Sequence, residues 1–224
     1  MTTPSPCIWI AGATGLVGRA LIPLLQGSAL PAAGREPALH AVRHEPALHA
    51  LVRKPAAALQ EAGVHQHVVD FARLDAGALP SPVAAYCALG TTIKVAGSQA
   101  AFRAVDVDAV LAFAQAARHA GAPCFAVVSA LGADAHSRVF YNRVKGEMEA
   151  AVAALGFTSV VIARPSLIVG DRGALGQPLR VGERLGQWIS APLRPLLPPS
   201  LRPIAAATVA RAMVRAVAQS RPGV

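Results

Sequence analysis

Aromatic residues are scarce, at 4% of the 224 residues, although hydrophobic residues as a whole reach 54%. A core must therefore be filled by Ala, Val, Leu and Ile, which suits helices packed on a buried parallel sheet. The shortage also leaves few rings on which bases could stack. Arg and Lys are scattered from Arg19 to Arg221 without a dense run, so the formal charge of +9 points to phosphorylated small molecules and no nucleic-acid partner is expected. Cysteine is sparse too. Cys7, Cys87 and Cys124 are odd in number, far apart and each set in an apolar stretch, which excludes a disulfide frame or a thiolate zinc site and predicts buried, reduced thiols. No apolar run reaches the roughly 20 residues of a membrane span, because Arg164 and Pro165 interrupt the longest one. The N-terminal residues show no basic stretch of the secretory type, and Ile8-Trp9-Ile10 lead straight into a glycine turn. These absences predict a cytoplasmic protein, and the chain length predicts one domain over residues 1–224.

Short apolar runs alternate with Ala-rich segments at helical spacing, the mark of successive βαβ units. Strands are expected over Cys7–Ala11, His49–Arg53, Gln66–Asp70, Ala84–Leu89, Cys124–Ser129 and Ser159–Ala163. The plainest helices are Leu16–Leu25, Ala100–His119, Arg138–Leu155 and Ala206–Ala218. The fold class is then α/β: a doubly wound parallel sheet of the Rossmann type, with helices on both faces and a small C-terminal lid. The lid is assigned to residues 173–205, where Pro178, Pro192, Pro195, Pro198, Pro199 and Pro203 break regular patterns. One stretch is anomalous, in that Arg35 to Arg43 is nearly copied by His44 to Val52. It reads as an insertion before the second strand, with the later copy in the sheet.

Gly12-Ala13-Thr14-Gly15-Leu16-Val17-Gly18 directly follows a strand and opens a helix, the context in which a glycine motif binds a dinucleotide. Gly12 allows the tight turn, Gly15 lets backbone approach a pyrophosphate, and Gly18 lets the helix pack close to the strand. The helix N-terminus favours the phosphate charge. At the end of the second strand, where an acidic residue would accept from a ribose 2′-hydroxyl, stand Arg53 and Lys54. A basic pair there favours a 2′-phosphate, hence NADP(H) with NAD(H) as the alternative, although the same pair also reads as a solvated loop.

Tyr141 and Lys145 stand at i and i+4 on one helix face. A phenol with pKa near 10 becomes a useful acid-base group when a cation beside it favours the phenolate, and Lys145 can supply that cation. The pair follows the strand ending at Ser129, which brings it to the same sheet edge as the glycine turn. His65 and His67 share a strand face and His40 and His44 a helix face, but no Cys or carboxylate cluster accompanies them and no metal is expected.

The glycine turn, Ser129 and Tyr141-x-x-x-Lys145, in that order, resemble the short-chain dehydrogenase/reductase superfamily over nearly the whole chain. Cys87-Ala88-Leu89-Gly90-Thr91-Thr92, Val128-Ser129-Ala130-Leu131-Gly132-Ala133-Asp134, Lys145-Gly146-Glu147-Met148-Glu149 and Arg164-Pro165-Ser166-Leu167-Ile168-Val169-Gly170-Asp171-Arg172 look like its atypical branch. The resemblance implies NADP(H) binding, with Tyr141 as acid-base group, Lys145 bonding the nicotinamide ribose and Ser129 polarising a substrate carbonyl. It further implies that Thr14, Leu16 and Val17 join the cofactor cradle, that Asp70 and Phe71 flank the adenine, that Ala88, Leu89 and Gly90 line the cofactor, and that Pro165, Ser166 and Leu167 cover the nicotinamide side. Two departures stand out: Ala130 occupies a position where many relatives carry a second serine, and the asparagine that completes many such sites is not identifiable. The expected function is an NADP(H)-dependent oxidoreductase acting on a small carbonyl or alcohol, as a monomer or homodimer. The alternative is a cofactor-binding sensor or assembly protein without turnover, because fold does not fix function.

Overall fold

The computed structural model describes residues 6–27, 46–75, 77, 79–170, 202–219 and 221–224. Six parallel strands form one sheet: β1 (Cys7–Ala11), β2 (Ala47–Val52), β3 (His65–Val68), β4 (Pro82–Cys87), β5 (Cys124–Val128) and β6 (Ser159–Ala163). Their spatial order is β3-β2-β1-β4-β5-β6. The winding reverses between β1 and β4, and that is the switch point at which doubly wound sheets open a crevice beyond the strand carboxyl ends. A separate two-stranded parallel sheet pairs β7 (Ile168–Val169) with β8 (Ile204–Ala205).

Strands β1, β4 and β5 are buried almost throughout and read as continuous apolar runs without alternation, whereas the edge strand β3 is polar and exposed at both ends. One core packs α1 (Leu16–Gln26) and the C-terminal helix α7 (Ala206–Ala218) against Ile8, Ile10, Tyr86 and Ala126. Between these two helices in the chain come α2 (Ala57–Glu61), α3 (Ile93–Ala96), α4 (Gln99–Arg103), a π-turn at Ala104–Asp108, α5 (Ala109–His119) and α6 (Phe140–Ala153). In the other core, α4, the π-turn, α5 and α6 supply Phe102, Val107, Val110, Phe113, Val144 and Met148 against Trp9, Ala85 and Phe125. Cys7, Cys87 and Cys124 are free and buried. Burial pushes the Cys7 thiol up to about 11 and the Cys87 thiol up to about 12.

Helix α7 and strands β1 and β6 have the expected bounds, but four strand ends differ systematically. Arg53, Asp70, Ala88, Leu89 and Ser129 were expected within strands and instead follow them. The backbone turns out of the ladder there while still using its last hydrogen bonds: Ala88 N–H donates to the Ala11 carbonyl at 2.8 Å and Ser129 N–H to that of Ala163 at 2.7 Å. Of the duplicated segment, the later copy supplies β2, and the earlier copy lies outside the described residues, as do His40 and His44. The expected lid also falls outside them except for its last four residues, 202–205.

On β2 and β3, His49, His65 and His67 share one face, with His49 Nδ1 and His67 Nε2 2.9 Å apart and the His49 ring stacked on both neighbours. Among the described residues, no group of three His, Cys, Asp or Glu side chains is placed to hold a metal ion. Burial, followed by repulsion from the neighbouring imidazoles, lowers the proton affinity of His49 and of His67 below the usual imidazole range near 6.5. The unfolded chain therefore takes up these protons first, and acidification below about pH 6.5 withdraws stability that is fully present above it. Urea midpoints measured from pH 7.5 down to pH 5 should fall, and fall less steeply in His67→Gln. An identical slope in that variant would contradict the cluster's role.

Candidate active site

The turn after β1 is shaped by backbone meeting backbone. Gly12 has φ of +79°, and a Cβ on it would lie 2.4 Å from the Ala88 carbonyl carbon. A Cβ on Gly18 would lie 2.1 Å from the Gly12 carbonyl oxygen, so α1 can start this close to β1 only because that residue has no side chain. Gly15 differs. Its backbone is extended (φ −81°, ψ 174°), its N–H closes the turn onto Gly12 at 3.0 Å, and a Cβ there meets only the Gly12 carbonyl, at 3.3 Å. The fold thus requires Gly12 and Gly18 more than Gly15, whose position leaves open space over the N-terminus of α1.

That space belongs to a cleft of about 1370 Å³ at the switch point. Its floor is the glycine turn, Gly12 to Val17 with Thr14 and Leu16 among them, and the loop Ala88-Leu89-Gly90 after β4. Arg53 and Lys54, both exposed, line one end together with Asp70 and Phe71. Among the described residues neither cation has a carboxylate within ion-pair distance. The Asp70 carboxylate accepts from Ala72 N–H at 2.9 Å and so caps the short 3-10 turn that sets Phe71 against the core. Ser129, Tyr141, Lys145, Pro165, Ser166 and Leu167 line the other end. Every residue assigned to the site from sequence therefore borders one cleft. Ser166 departs in one respect, since its hydroxyl donates to the Arg202 carbonyl and ties the loop to the strand before α7.

The polar groups at this end are held from several elements. Ser129 is 5% exposed and its Oγ has no hydrogen-bond partner among the described residues, while its neighbour Ala130 is also buried. The Tyr141 ring packs on Phe102 of α4, centroids 5.6 Å apart. A Cβ on Gly146 would lie 2.1 Å from Ala135 N, so this glycine lets α6 close on the loop that follows Ser129. Arg164 is paired with the buried carboxylate of Glu149 on α6, which anchors the chain just before Pro165.

Lys145 is 4% exposed, and its Nζ lies 2.7 Å from Oδ1 of Asp106, itself fully buried on the π-turn. Asp106 Oδ2 accepts from Thr91 N–H at 2.8 Å. Sequence reading missed Asp106. The signal was a single acid at the inward spacing of Phe102, Asp106 and Val110 in an otherwise apolar helical stripe, where an unpaired carboxylate would be costly.

No protein-family model matches the chain. Among curated proteins, a 156-residue region is 36% identical to protein HTATIP2 of Rattus norvegicus, covering 67% of this chain and 61% of that protein. A 93-residue region is 46% identical to the mitochondrial protein fmp52 of Emericella nidulans, covering 42% and 40%. The relatives of this chain include HTATIP2, an atypical short-chain dehydrogenase/reductase. The chain spans only about 40–61% of the length of those two relatives. Solved structures repeat the fold at low identity. The protein gox2253 has a TM-score of 0.71 at 19% identity, over 98% of this chain and 68% of its own. A Bacillus halodurans protein of the NAD-dependent epimerase/dehydratase type has a TM-score of 0.64 at 18% identity, over 96% and 89%. The expected cytoplasmic location is overturned by the Fmp52 relatives from several fungi, which are named mitochondrial. Among the described residues no helix is long and apolar enough to cross a membrane.

Because Gly18 is enclosed and Gly15 faces open space, substitutions at the two should differ. Gly18→Ala should cost about 1–3 kcal/mol of stability in urea unfolding, the usual range for overpacking, and Gly15→Ala clearly less. Equal costs, or the reverse order, would contradict this geometry.

Proposed function

We propose that the cleft binds a nicotinamide dinucleotide, NADP(H) in preference to NAD(H), and that the protein transfers hydride between it and a small carbonyl or alcohol. The observation that carries this reading is the convergence on one cleft of the uncrowded backbone at Gly15, an exposed Arg53-Lys54 pair and the polar trio Ser129, Tyr141 and Lys145. The neighbour MoeE5, solved with UDP-glucose and NAD, has a TM-score of 0.63 and supports a dinucleotide in this class of crevice. The residues fit the cofactor. The α1 N-terminus carries amides without acidic side chains in its first turn, which suits a pyrophosphate. Ala88, Leu89 and Gly90 would flank the ribose, Asp70 and Phe71 the adenine, and Pro165 to Leu167 the nicotinamide.

When bound, the cofactor supplies or accepts the hydride. The chain's own part is to hold the substrate oxygen and move a proton. The Ser129 hydroxyl, which has no hydrogen-bond partner among the described residues, donates to that oxygen and stabilises the charge that develops on it. In reduction, Tyr141 gives its phenolic proton to the same oxygen. In oxidation the phenolate takes it back. Lys145, fixed beside them, bonds the ribose and favours the phenolate. The formal net charge of +9 favours the approach of a phosphorylated cofactor.

Two measurements test this. If Arg53 and Lys54 meet a 2′-phosphate, NADPH should bind about 10–100-fold more tightly than NADH, the range expected for one charge-assisted contact, and Arg53→Ala should remove most of the difference. Equal affinities in the wild type would reject the NADP(H) assignment. Tyr141→Phe keeps the ring on Phe102 but deletes the proton, and should lower carbonyl reduction by about 10²–10⁴-fold with cofactor affinity little changed. Undiminished reduction in that variant would refute the mechanism. Failure to find any turnover across a broad carbonyl screen would favour the sensor reading.

A further inference from the structure

The mechanism above leaves one buried charge without a task. Asp106 sits where the helix from Gln99 to His119 is interrupted by a π-turn, with Ala109 N–H donating to the carbonyl of Ala104 five residues back. Such turns are rare and are frequently found at functional sites. The inserted residue turns both Asp106 and Val107 inward, at 0% and 6% exposure. Asp106 then bridges three elements that border the cleft: its own turn, the loop after β4 through Thr91 N–H, and α6 through Lys145 Nζ.

Stability alone is a poor reason for this pair. Taking both charges out of water costs about as much as their attraction returns, and apolar residues of the same volume would serve as well or better. The electrostatic consequence is more specific. A lone ammonium near Tyr141 would act on the phenol as a full positive charge, whereas an ammonium with a carboxylate 2.7 Å away acts as a dipole, whose influence falls off faster with distance.

We infer that Asp106 is a positioning residue that sets the acid-base behaviour of Tyr141, by fixing the Lys145 ammonium at the cleft and offsetting its charge so that the phenol keeps its proton at neutral pH. This rests on the reading of Tyr141 as the proton donor to substrate. Other charged groups near the pair are accounted for. The Cys87 thiol on β4 is held neutral by burial. Asp108 lies at the far end of the π-turn, exposed at the cleft margin. Arg103 and Arg143 are engaged with Glu147, Glu149 is engaged with Arg164, and Arg53 and Lys54 belong to the opposite end of the cleft. Among the described residues, Asp106 is the carboxylate within ion-pair distance of Lys145.

The chain has two tyrosines, and the other, Tyr86, is sealed in the core where burial holds its phenol protonated far into the alkaline range. The first tyrosinate absorbance transition of the folded protein therefore reports Tyr141, and its disappearance in Tyr141→Phe confirms the assignment. In Asp106→Asn that transition should move down by about one pH unit, the lower end of the shift expected from one nearby charge, while Asp106→Glu stays near the wild type. The alkaline limb of carbonyl reduction should move down by the same amount. A purely structural Asp106 would lower the urea midpoint and leave the transition in place, and that result in a folded Asp106→Asn overturns the inference. Should Asp106→Asn not fold, the same phenol is read in Lys145→Met and in Lys145→Met/Asp106→Leu: the transition must lie higher in the first, and equal values overturn the inference. Because the absorbance titration needs no substrate, a protein without turnover but with the shift would sink the proposed reaction and leave this charge relation standing.

Discussion

The close approach of two strand ends at the point where the sheet reverses its winding governs everything that lies above it. Ala88 N–H reaches the Ala11 carbonyl, Gly12 sits against the Ala88 backbone, and Gly18 sits against Gly12. No side chain fits between these segments. The consequence is that β1 and β4 end side by side with the first residues of their following loops in backbone contact, and the cleft opens above that contact. The fold therefore builds the binding surface from backbone groups first, and side chains only decorate its two ends.

The two ends have different electrostatics. At one, Arg53 and Lys54 are exposed cations without an ion-pair partner among the described residues, so their charge is open to a ligand. At the other, the charges are buried and internally matched, Lys145 with Asp106 and Glu149 with Arg164. Open charge suits recognition, because an incoming anion gains the full attraction. Matched charge suits chemistry, because a fixed and compensated pair changes the field at a reacting oxygen without itself demanding a counterion.

Much of this was legible in the sequence, and what was not has a common cause. The glycine turn, the parallel strands, and the gathering of Ser129, Tyr141 and Lys145 with Arg53 and Lys54 at one sheet edge follow from residue type and spacing. Strand carboxyl ends were placed too far along, since apolar residues such as Ala88 and Leu89 look the same whether they sit in a ladder or line a crevice just past it. The role of Asp106 was hidden because an acid at the inward spacing of Phe102 and Val110 discloses neither the π-turn that presents it nor the Lys145 it meets across the fold. Location was misjudged because an N-terminal composition was taken to report a compartment, and the Fmp52 relatives named mitochondrial correct it.

The central claim is that a nicotinamide dinucleotide lies along this cleft with its reactive ring beside Tyr141 and Ser129. A crystal structure of the protein grown with saturating NADP⁺ tests it most directly. The account predicts the pyrophosphate on the backbone amides that follow Gly15, the adenosine end between Arg53 and Phe71, and the nicotinamide ring beneath Pro165 within reach of the Tyr141 hydroxyl. A dinucleotide bound elsewhere, or an unoccupied cleft at saturating cofactor, would contradict it.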